Sequence, residues 1–349
     1  MKRLLSVLLF LIMAALAFWG ILQYAHRQAE EKAEQRSPSS YVTVYTDLPS
    51  GMLEALNDSF YRETGLRMNL VYMNKAQLLK GNAGEGENTG GPDIYISSQD
   101  VLIQLKKEKL LQPYTSAQTD TALNLFKDGE GFWTGVWVDP VVFSVNAEYA
   151  SKHPAFSYTW NEVLARNSVR LSMTDFIAAD MAEDLLMCMA ENFGIEDTFQ
   201  LLGKAQKHIV QYGKYLSTPS RMAGMGKCDI GISGLNEAVR TQKEKMPVLI
   251  MYPEDGSPWY LLGAGISVNG KYPDRGQKLL NWLLTSSSYK DIMEKNQYYY
   301  VYVNDYTLNP DNAGNPLVFW NLEKLYFDEG KKDLLTRWGE EIRFGGTNN

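Results

Sequence analysis

The sequence is poor in the residues that usually build metal centres and disulfide frameworks. Of its 349 residues only two are cysteine, Cys188 and Cys228, and two cysteines supply no framework of crosslinks. An oxidising compartment could pair them, but Cys188 lies in an apolar helical stretch, so we expect two buried thiols. The three histidines, His26, His153 and His208, lie far apart and form no His-x-x-x-His pair. The sequence therefore predicts no metal site and no cofactor.

Complete motifs for nucleotide binding and catalysis are also missing. Residues 265–271 (GISVNGK) follow a phosphate-binding loop only as far as Tyr272, which stands where a Ser or Thr would hold magnesium. Gly263 and Gly265 are not followed by the third glycine of a dinucleotide fingerprint, since Val268 takes its place. Paired carboxylates occur, but a helix and a turn carry them, which favours solvated surface. We therefore expect no enzymatic activity.

Positive charge is not concentrated anywhere in the chain. The formal net charge is -7, with 34 Lys and Arg against 41 Asp and Glu. Nucleic acid is thereby excluded as a partner, because neutralising phosphates requires grouped basic residues. A hydrophobic content of 45% is that of a well-packed globular protein, and the chain is too long for one small core. We expect a monomer with two lobes.

The N-terminus carries the pattern of an export signal. Lys2 and Arg3 precede an uncharged apolar run over residues 4–22, long enough to span a bilayer. An Ala-x-Ala cleavage pattern lies inside the run, which nevertheless continues beyond it, and no cysteine allows acylation as a lipoprotein. Residues 1–27 are therefore predicted to be a signal peptide or an uncleaved membrane anchor, and the polar residues 28–40 a tether. The rest is expected outside the cytoplasmic membrane, in the periplasm or at the cell surface.

Strand and helix patterns alternate along the remaining chain. Residues 41–46 (YVTVYT) predict a strand, and apolar residues at helical spacing predict a helix that ends at Gly65. A second strand follows over residues 66–72, which makes a βαβ unit and hence a parallel sheet. The alternation continues, and the apolar run 136–145 is expected to cross between the lobes. The fold class is α/β.

Short polar residues recur where predicted strands end. In an open parallel sheet the carboxyl ends of the strands are where ligands bind, although each such residue alone is better explained as a helix cap. Asp139 interrupts the crossing run, and two large aromatics occupy a turn rich in Gly and Pro, where ligand contact competes with packing between the lobes. The predicted ligand-binding residues are Thr46, Asp47, Ser97, Ser98, Asp139, Thr174, Asp175, Ser233, Trp259 and Tyr260.

The ordered set of segments resembles the type II periplasmic binding proteins, specifically the family 1 extracellular solute-binding proteins of ABC importers. The resemblance runs from Tyr41 to about Asp305. It is carried by VTVYTDLP (42–49), FYRETGLRMNLVY (60–72), GPDIYISS (91–98), LKKEKLLQPYTS (105–116), FWTGVWVDPVVFSVN (132–146), TWNEVL (159–164), GKCDIGIS (226–233) and residues 252–288.

This resemblance implies a two-lobed fold that closes over a ligand and presents it to a membrane permease. The first lobe is expected to comprise residues 41–140 and 253–349, and the second residues 141–252. The crossing segments are expected around 138–146 and 248–254.

The resemblance leaves several ligands open. Ferric binders of the family carry a tyrosine pair shortly after the strand that here reads CDIGIS, whereas this chain continues with residues 234–237 (GLNE). Ferric iron is therefore a less favoured ligand than the other candidates, but it is not eliminated. The turn PEDGSPWY resembles that of polyamine binders, whose pockets place aromatics and carboxylates around amines. Hydroxyls at strand ends suit phosphonate or another oxyanion equally well.

Two other classes of function remain to be weighed. A membrane-tethered sensor would use the same lobes to signal to a receptor, and a neighbouring gene for a histidine kinase would favour it. An exported hydrolase would rely on paired carboxylates, and turnover lost on Asp139→Asn or Asp175→Asn would support it.

Overall fold

The computed structural model describes residues 40–80, 91–304, 316–325 and 329–345. The predicted signal or anchor segment and all but the last residue of the predicted tether lie outside these ranges. Within them, no helix combines the length and the apolar character that crossing a membrane requires.

The described strands and helices alternate as predicted. The strands are β1 Tyr41–Thr46, β2 Arg67–Tyr72, β3 Ile94–Ser98, β4 Leu111–Gln112, β5 Thr134–Asn146, β6 Leu171–Thr174, β7 Ile209–Gly213, β8 Ile230–Gly234, β9 Val248–Met251, β10 Trp259–Ser267 and β11 Val301–Tyr302. The α-helices are α1 Ser50–Thr64, α2 Lys75–Leu79, α3 Gln99–Lys107, α4 Ala147–Lys152, α5 Trp160–Ala165, α6 Asp180–Phe193, α7 Ile195–Gln206, α8 Thr218–Gly224, α9 Leu235–Lys243, α10 Pro273–Thr285, α11 Ser288–Lys295 and α12 Glu329–Arg337. A π-helix over Trp338–Arg343 continues α12.

The first βαβ unit is confirmed. β1 pairs in parallel with β2 and β3, and its inward-facing Val42 and Val44 have no exposed surface. Helix α1 ends at Gly65, whose φ of 73° is left-handed and whose N–H donates to the carbonyl of Tyr61. Glycine reaches this conformation without the steric cost that a Cβ imposes, so the predicted helix stop has a physical basis.

One long strand joins two groups of strands. β5 pairs antiparallel with β10 up to Pro140, and from Val141 onward with β8 and β9. The first sheet therefore contains β1 to β4, β10, β11 and the start of β5, and the second contains the end of β5 with β6 to β9. The apolar run predicted to cross between lobes is this strand.

The C-terminal segment packs beside the second sheet. Helix α12 contacts α6, and the π-helix contacts α7. Arg337 forms an ion pair with Glu196 of α7, and Arg343 with Asp175 at the end of β6. The sequence-based division placed all of 253–349 in the first lobe, and these contacts put the end of that range on the other side. The division into lobes otherwise stays a prediction.

The structure confirms that the cysteines are buried and corrects one local prediction. Both cysteines are free and buried, as predicted. The aromatic pair that was expected in a turn begins strand β10 instead. Within the tyrosine-rich residues 298–302, only Val301–Tyr302 form a strand, which pairs with β5.

Candidate functional site

A cavity of about 380 Å³ lies where β5 passes from one sheet to the other. Its walls carry acidic and aromatic side chains from both sides of that strand, together with a few apolar residues. The acidic residues are Asp47, Asp139, Asp180 and Glu237, and the tyrosines are Tyr260, Tyr298 and Tyr300. One basic residue, Arg240, also lines it.

Asp139 lies at the junction of the two sheets. It pairs with Tyr260 of β10, one residue before the pairing of β5 changes partner. Its carboxylate is only 5% exposed and accepts the backbone N–H of Asn236, in the first turn of α9, at 3.0 Å. Burial raises the pKa of Asp139 to about 7, and the charge of Glu237 adds to this, while the amides of α9 oppose it.

The one basic residue of the cavity wall is already bound to other groups. The guanidinium of Arg240 lies 3.2 Å from Glu237 Oε1, one turn earlier on α9. Its Nε donates to the carbonyl of Gln297 at 2.8 Å, and its plane lies over the ring of Tyr298. The positive charge of Arg240 is therefore largely offset inside the protein.

The end of β1 supplies Asp47. Thr46 is fully buried and its hydroxyl accepts the N–H of Leu48, so it shapes the turn and does not reach the cavity. Asp47 accepts the hydroxyl of Ser97, at the end of β3, at 2.7 Å. Burial raises the pKa of Asp47, against the lowering effect of that hydrogen bond and of the charge on Lys75.

Tyr260 projects among carboxylates. Its pKa is raised well above the usual value by burial, and then by the negative charges of Asp100, Asp184, Asp180 and Asp47. Asp184 is itself buried, and burial raises its pKa to about 7. These carboxylates place negative charge close to the neutral phenol of Tyr260.

An ion-pair relay lies beside this group. Ser98, at the end of β3, donates its hydroxyl to Asp100 in the first turn of α3. Lys75 Nζ lies 2.8 Å from Asp100 Oδ2 and 2.9 Å from Asp180 Oδ2. The predicted residue Ser98 thus orients a carboxylate and is not itself part of the cavity wall.

Three other predicted residues have structural partners. The hydroxyl of Thr174 donates to a backbone carbonyl at 3.4 Å, and the hydroxyl of Ser233 lies 3.0 Å from that of Ser144. Asp175 accepts Nε1 of Trp338 at 3.0 Å and pairs with Arg343 at 2.6 Å. None of these side chains lines the 380 Å³ cavity.

Trp259 packs in the core instead of facing the cavity. It is 1% exposed, and its Nε1 donates to the carbonyl of Trp320 at 3.1 Å. The ammonium of Lys324 lies 4.0 Å from the centre of its ring, and Phe126 packs edge-on against it. The structure therefore brings three of the ten predicted residues to the cavity wall, namely Asp47, Asp139 and Tyr260.

The sequence did not indicate the remaining polar wall residues. Asp180, Glu237 and Arg240 lie in helices and carry no local motif. One available signal was that Glu237 follows β8 closely, at the position compared with ferric binders. Tyr298 and Tyr300 lie in a tyrosine-rich segment that carries no ligand-binding motif either. Among the described residues no group of three or more His, Cys, Asp or Glu side chains is placed to hold a metal ion.

Comparison with known proteins places these observations in a family. The family model described as bacterial extracellular solute-binding protein matches residues 55–309. An uncharacterised protein of Haemophilus influenzae is 19% identical over 313 residues, covering 86% of this chain and 90% of that protein.

Solved structures share the architecture. The periplasmic binding protein AfuA of Actinobacillus pleuropneumoniae, with exogenous fructose-6-phosphate bound, has a TM-score of 0.67 at 19% identity and covers 87% of this chain and 99% of its own. A Bordetella ferric binding protein has a TM-score of 0.71 at 18% identity, with 86% and 99% covered. The predicted two-lobed α/β fold of periplasmic binding proteins is thereby confirmed.

Proposed function

Because this chain belongs to the bacterial extracellular solute-binding protein family, we propose that the solute it captures is a small organic cation and that the cation binds beside Asp139. The chain acts outside the cytoplasm as the ligand-binding component of an ABC importer. Members of the family bind solutes, and we propose no catalytic step for this one.

The balance of charge in the cavity carries the proposal. Four carboxylate residues line it against one guanidinium, which pairs with Glu237 within the protein. The buried carboxylate of Asp139 accepts amide hydrogen bonds, and within the described residues no Lys or Arg forms an ion pair with it, although the charge of Arg240 acts on it weakly. Burying a carboxylate without a counter-ion is unfavourable, so a cationic ligand stabilises the site where an anion would add repulsion.

The helix ends at the cavity support the same sign of charge. Helix N-termini attract anions through their free N–H groups, and α6 and α9 both begin here. Each already carries an acidic residue in its first turn, Asp180 in α6 and Glu237 in α9, and Asp139 accepts an N–H of α9. At the start of α9 the position that an oxyanion would occupy is therefore taken by Asp139, and α6 begins with an acidic residue that would repel one.

Aromatic side chains complete the chemistry of an amine site. Three tyrosines line the cavity, and the faces of their rings attract an ammonium group. Of the two solved structures, one holds fructose-6-phosphate and the other is a ferric binding protein. A phosphate ester would need free basic groups, and ferric iron would need a cluster of ligand side chains such as no described part of this chain provides.

A thermal-shift screen of the full chain tests the proposal. We expect monoamines, diamines and polyamines to raise the melting temperature, because a ligand that binds only the folded state stabilises it. Phosphate, phosphonates, sugar phosphates and ferric citrate are expected to have no effect. The shift should be smaller in Asp47→Asn and Asp139→Asn and unchanged in Asp128→Asn, a carboxylate paired with Lys106 away from the cavity. A shift with phosphorylated compounds alone would reject a cationic solute.

The N-terminal segment decides how the protein meets its permease. We propose that residues 1–27 direct export, and that the apolar run stays attached and anchors the chain to the membrane. The length of that run beyond its cleavage pattern supports this. Mass spectrometry of the mature N-terminus distinguishes an anchored protein that begins at Met1 from a released one.

A further inference from the structure

We propose that Lys75 is a built-in competitor for the ligand's positive charge: in the unoccupied protein its ammonium holds Asp180, and a cationic ligand must displace it. Lys75 thereby sets how strongly charged a solute must be to bind. This inference rests on the cationic solute proposed above.

The position of Lys75 is fixed by its own helix. Helix α2 begins after Asn74, whose side chain accepts the N–H of Gln77 while the side chain of Gln77 accepts the N–H of Asn74. This reciprocal capping defines the first residue of the helix, which is Lys75. Because α2 follows β2 and Asp180 begins α6 after β6, the ion pair joins elements that belong to opposite sheets.

Lys75 holds its two carboxylates unequally. Asp100 is 9% exposed in its side chain and also receives the hydroxyl of Ser98, so it is a fixed partner. Asp180 is 52% exposed in its side chain, and within the described residues Lys75 is the basic side chain that forms an ion pair with it. The bond to Asp180 is therefore the weaker and more exchangeable of the two, because water screens exposed ion pairs.

Asp180 separates two cavities. It lines the 380 Å³ cavity together with Asp139, and it also lines a neighbouring open cavity of about 830 Å³ that contains Lys75. A ligand's ammonium can thus approach Asp180 from one side while the ammonium of Lys75 holds it from the other. Two cations that share one carboxylate repel each other, so occupancy of the smaller cavity favours release of Lys75.

The charge of Lys75 also acts on the neighbouring carboxylates. Burial would lower the pKa of Lys75, but Asp100 and Asp180 outweigh burial and hold its pKa above the usual value. Burial would likewise raise the pKa of Asp100, and Lys75 outweighs it, so that pKa is lowered. Lys75 is therefore charged at any pH at which the protein works, and it opposes the cation that the cavity attracts.

Calorimetric titration of the full-length chain with 1,4-diaminobutane tests the inference. We expect Lys75→Gln to tighten binding about tenfold, because a like charge within a few ångströms of the ligand is removed. Lys75→Arg keeps the charge and should bind like the wild type. Lys106→Gln is the matched control. Lys106 also bridges two carboxylates, Asp128 and Glu130, and its side chain is 27% exposed, but it does not line the 380 Å³ cavity. It should leave affinity unchanged.

A second measurement needs no ligand. Hydrogen exchange of the amides in residues 180–186 should be faster in ligand-free Lys75→Gln than in the wild type, and unchanged in Lys106→Gln, because only the first loses its hold on α6. Unchanged exchange would overturn the inference. So would equal or weaker binding of 1,4-diaminobutane by Lys75→Gln, and in that case the cationic solute would stand. If instead the wild type binds inorganic phosphate and Lys75→Gln loses it, Lys75 is an anion ligand and both proposals fall.

Discussion

Binding of an organic cation should depend on pH through one carboxylate. Asp139 has a pKa raised to about 7 by burial, so in the empty protein it is mostly protonated at pH 6 and mostly ionised at pH 8. A cation binds the ionised form and lowers this pKa, so binding releases a proton. The ligand's own ammonium group stays charged throughout this range.

The size of the effect follows from the proton equilibrium. If the bound cation moves the pKa of Asp139 below the range tested, the dissociation constant at pH 6 should exceed that at pH 8 about tenfold, which is about 1.4 kcal/mol. Calorimetry in buffers of different ionisation enthalpy should detect up to about one proton released for each ligand bound near pH 7. Asp139→Asn should bind more weakly at pH 8 and lose most of the pH dependence.

The variant also separates Asp139 from its neighbours. Asp184 is the other nearby carboxylate whose pKa burial raises to about 7, so a residual slope in Asp139→Asn that vanishes on adding Asp184→Asn would assign the remainder to it. Glu237 and Arg240, which also act on Asp139, are present in both proteins. An unchanged tenfold effect in Asp139→Asn would refute the assignment of this titration to Asp139.

Three further outcomes follow from burial and pairing. Because the pKa of Asp139 is raised in the folded protein, its contribution to stability is present below its unfolded pKa of 3.8 and is lost as the pH rises through about 7. In denaturant titrations, Asp139→Asn should therefore raise the free energy of unfolding by about 2 kcal/mol at pH 8 and leave it unchanged at pH 4. Trp259→Ala should cost about 3 to 5 kcal/mol of stability by the same assay, because the ring is buried and bonded to the carbonyl of Trp320. Asp175→Asn should lower stability by about 1 to 3 kcal/mol through its lost pair with Arg343, while calorimetry shows unchanged amine affinity; a large loss of affinity would return Asp175 to the binding site.

Local patterns predicted the fold well because the fold's first units are local. The βαβ unit depends on alternation in residues 41–46, helical spacing up to Gly65 and a second short strand, all of which are visible between Tyr41 and Tyr72. Asp47 and Asp139, which line the cavity, were predicted as ligand-binding because strand ends and interrupted apolar runs are also local signals. Helix positions such as Asp180 give no such signal, since surface and cavity helices share the same polar first turn.

The predicted and observed surroundings of a residue differ where its hydrogen-bond or ion-pair partner is distant in sequence. Trp259 was expected near a ligand because its turn offered no core, yet its hydrogen-bond partner, Trp320, is 61 residues away. Asp175 was placed at the site by its strand end, but Arg343, which pairs with it, lies 168 residues further on. A sequence shows which residues can pair and not which of them the chain's later segments will reach.

The change of partners along β5 has a mechanical consequence. Asp139 lies next to the point between Pro140 and Val141 where β5 leaves the first sheet and enters the second. If the two sheets rotate relative to each other about that point, a residue close to it moves little and a residue far from it moves a long way. The carboxylate of Asp139 would therefore keep nearly the same position relative to both sheets while it binds a cationic solute. Lys75 and Asp180 lie in separate helices, α2 and α6, so the distance between them changes with the angle between the two sheets.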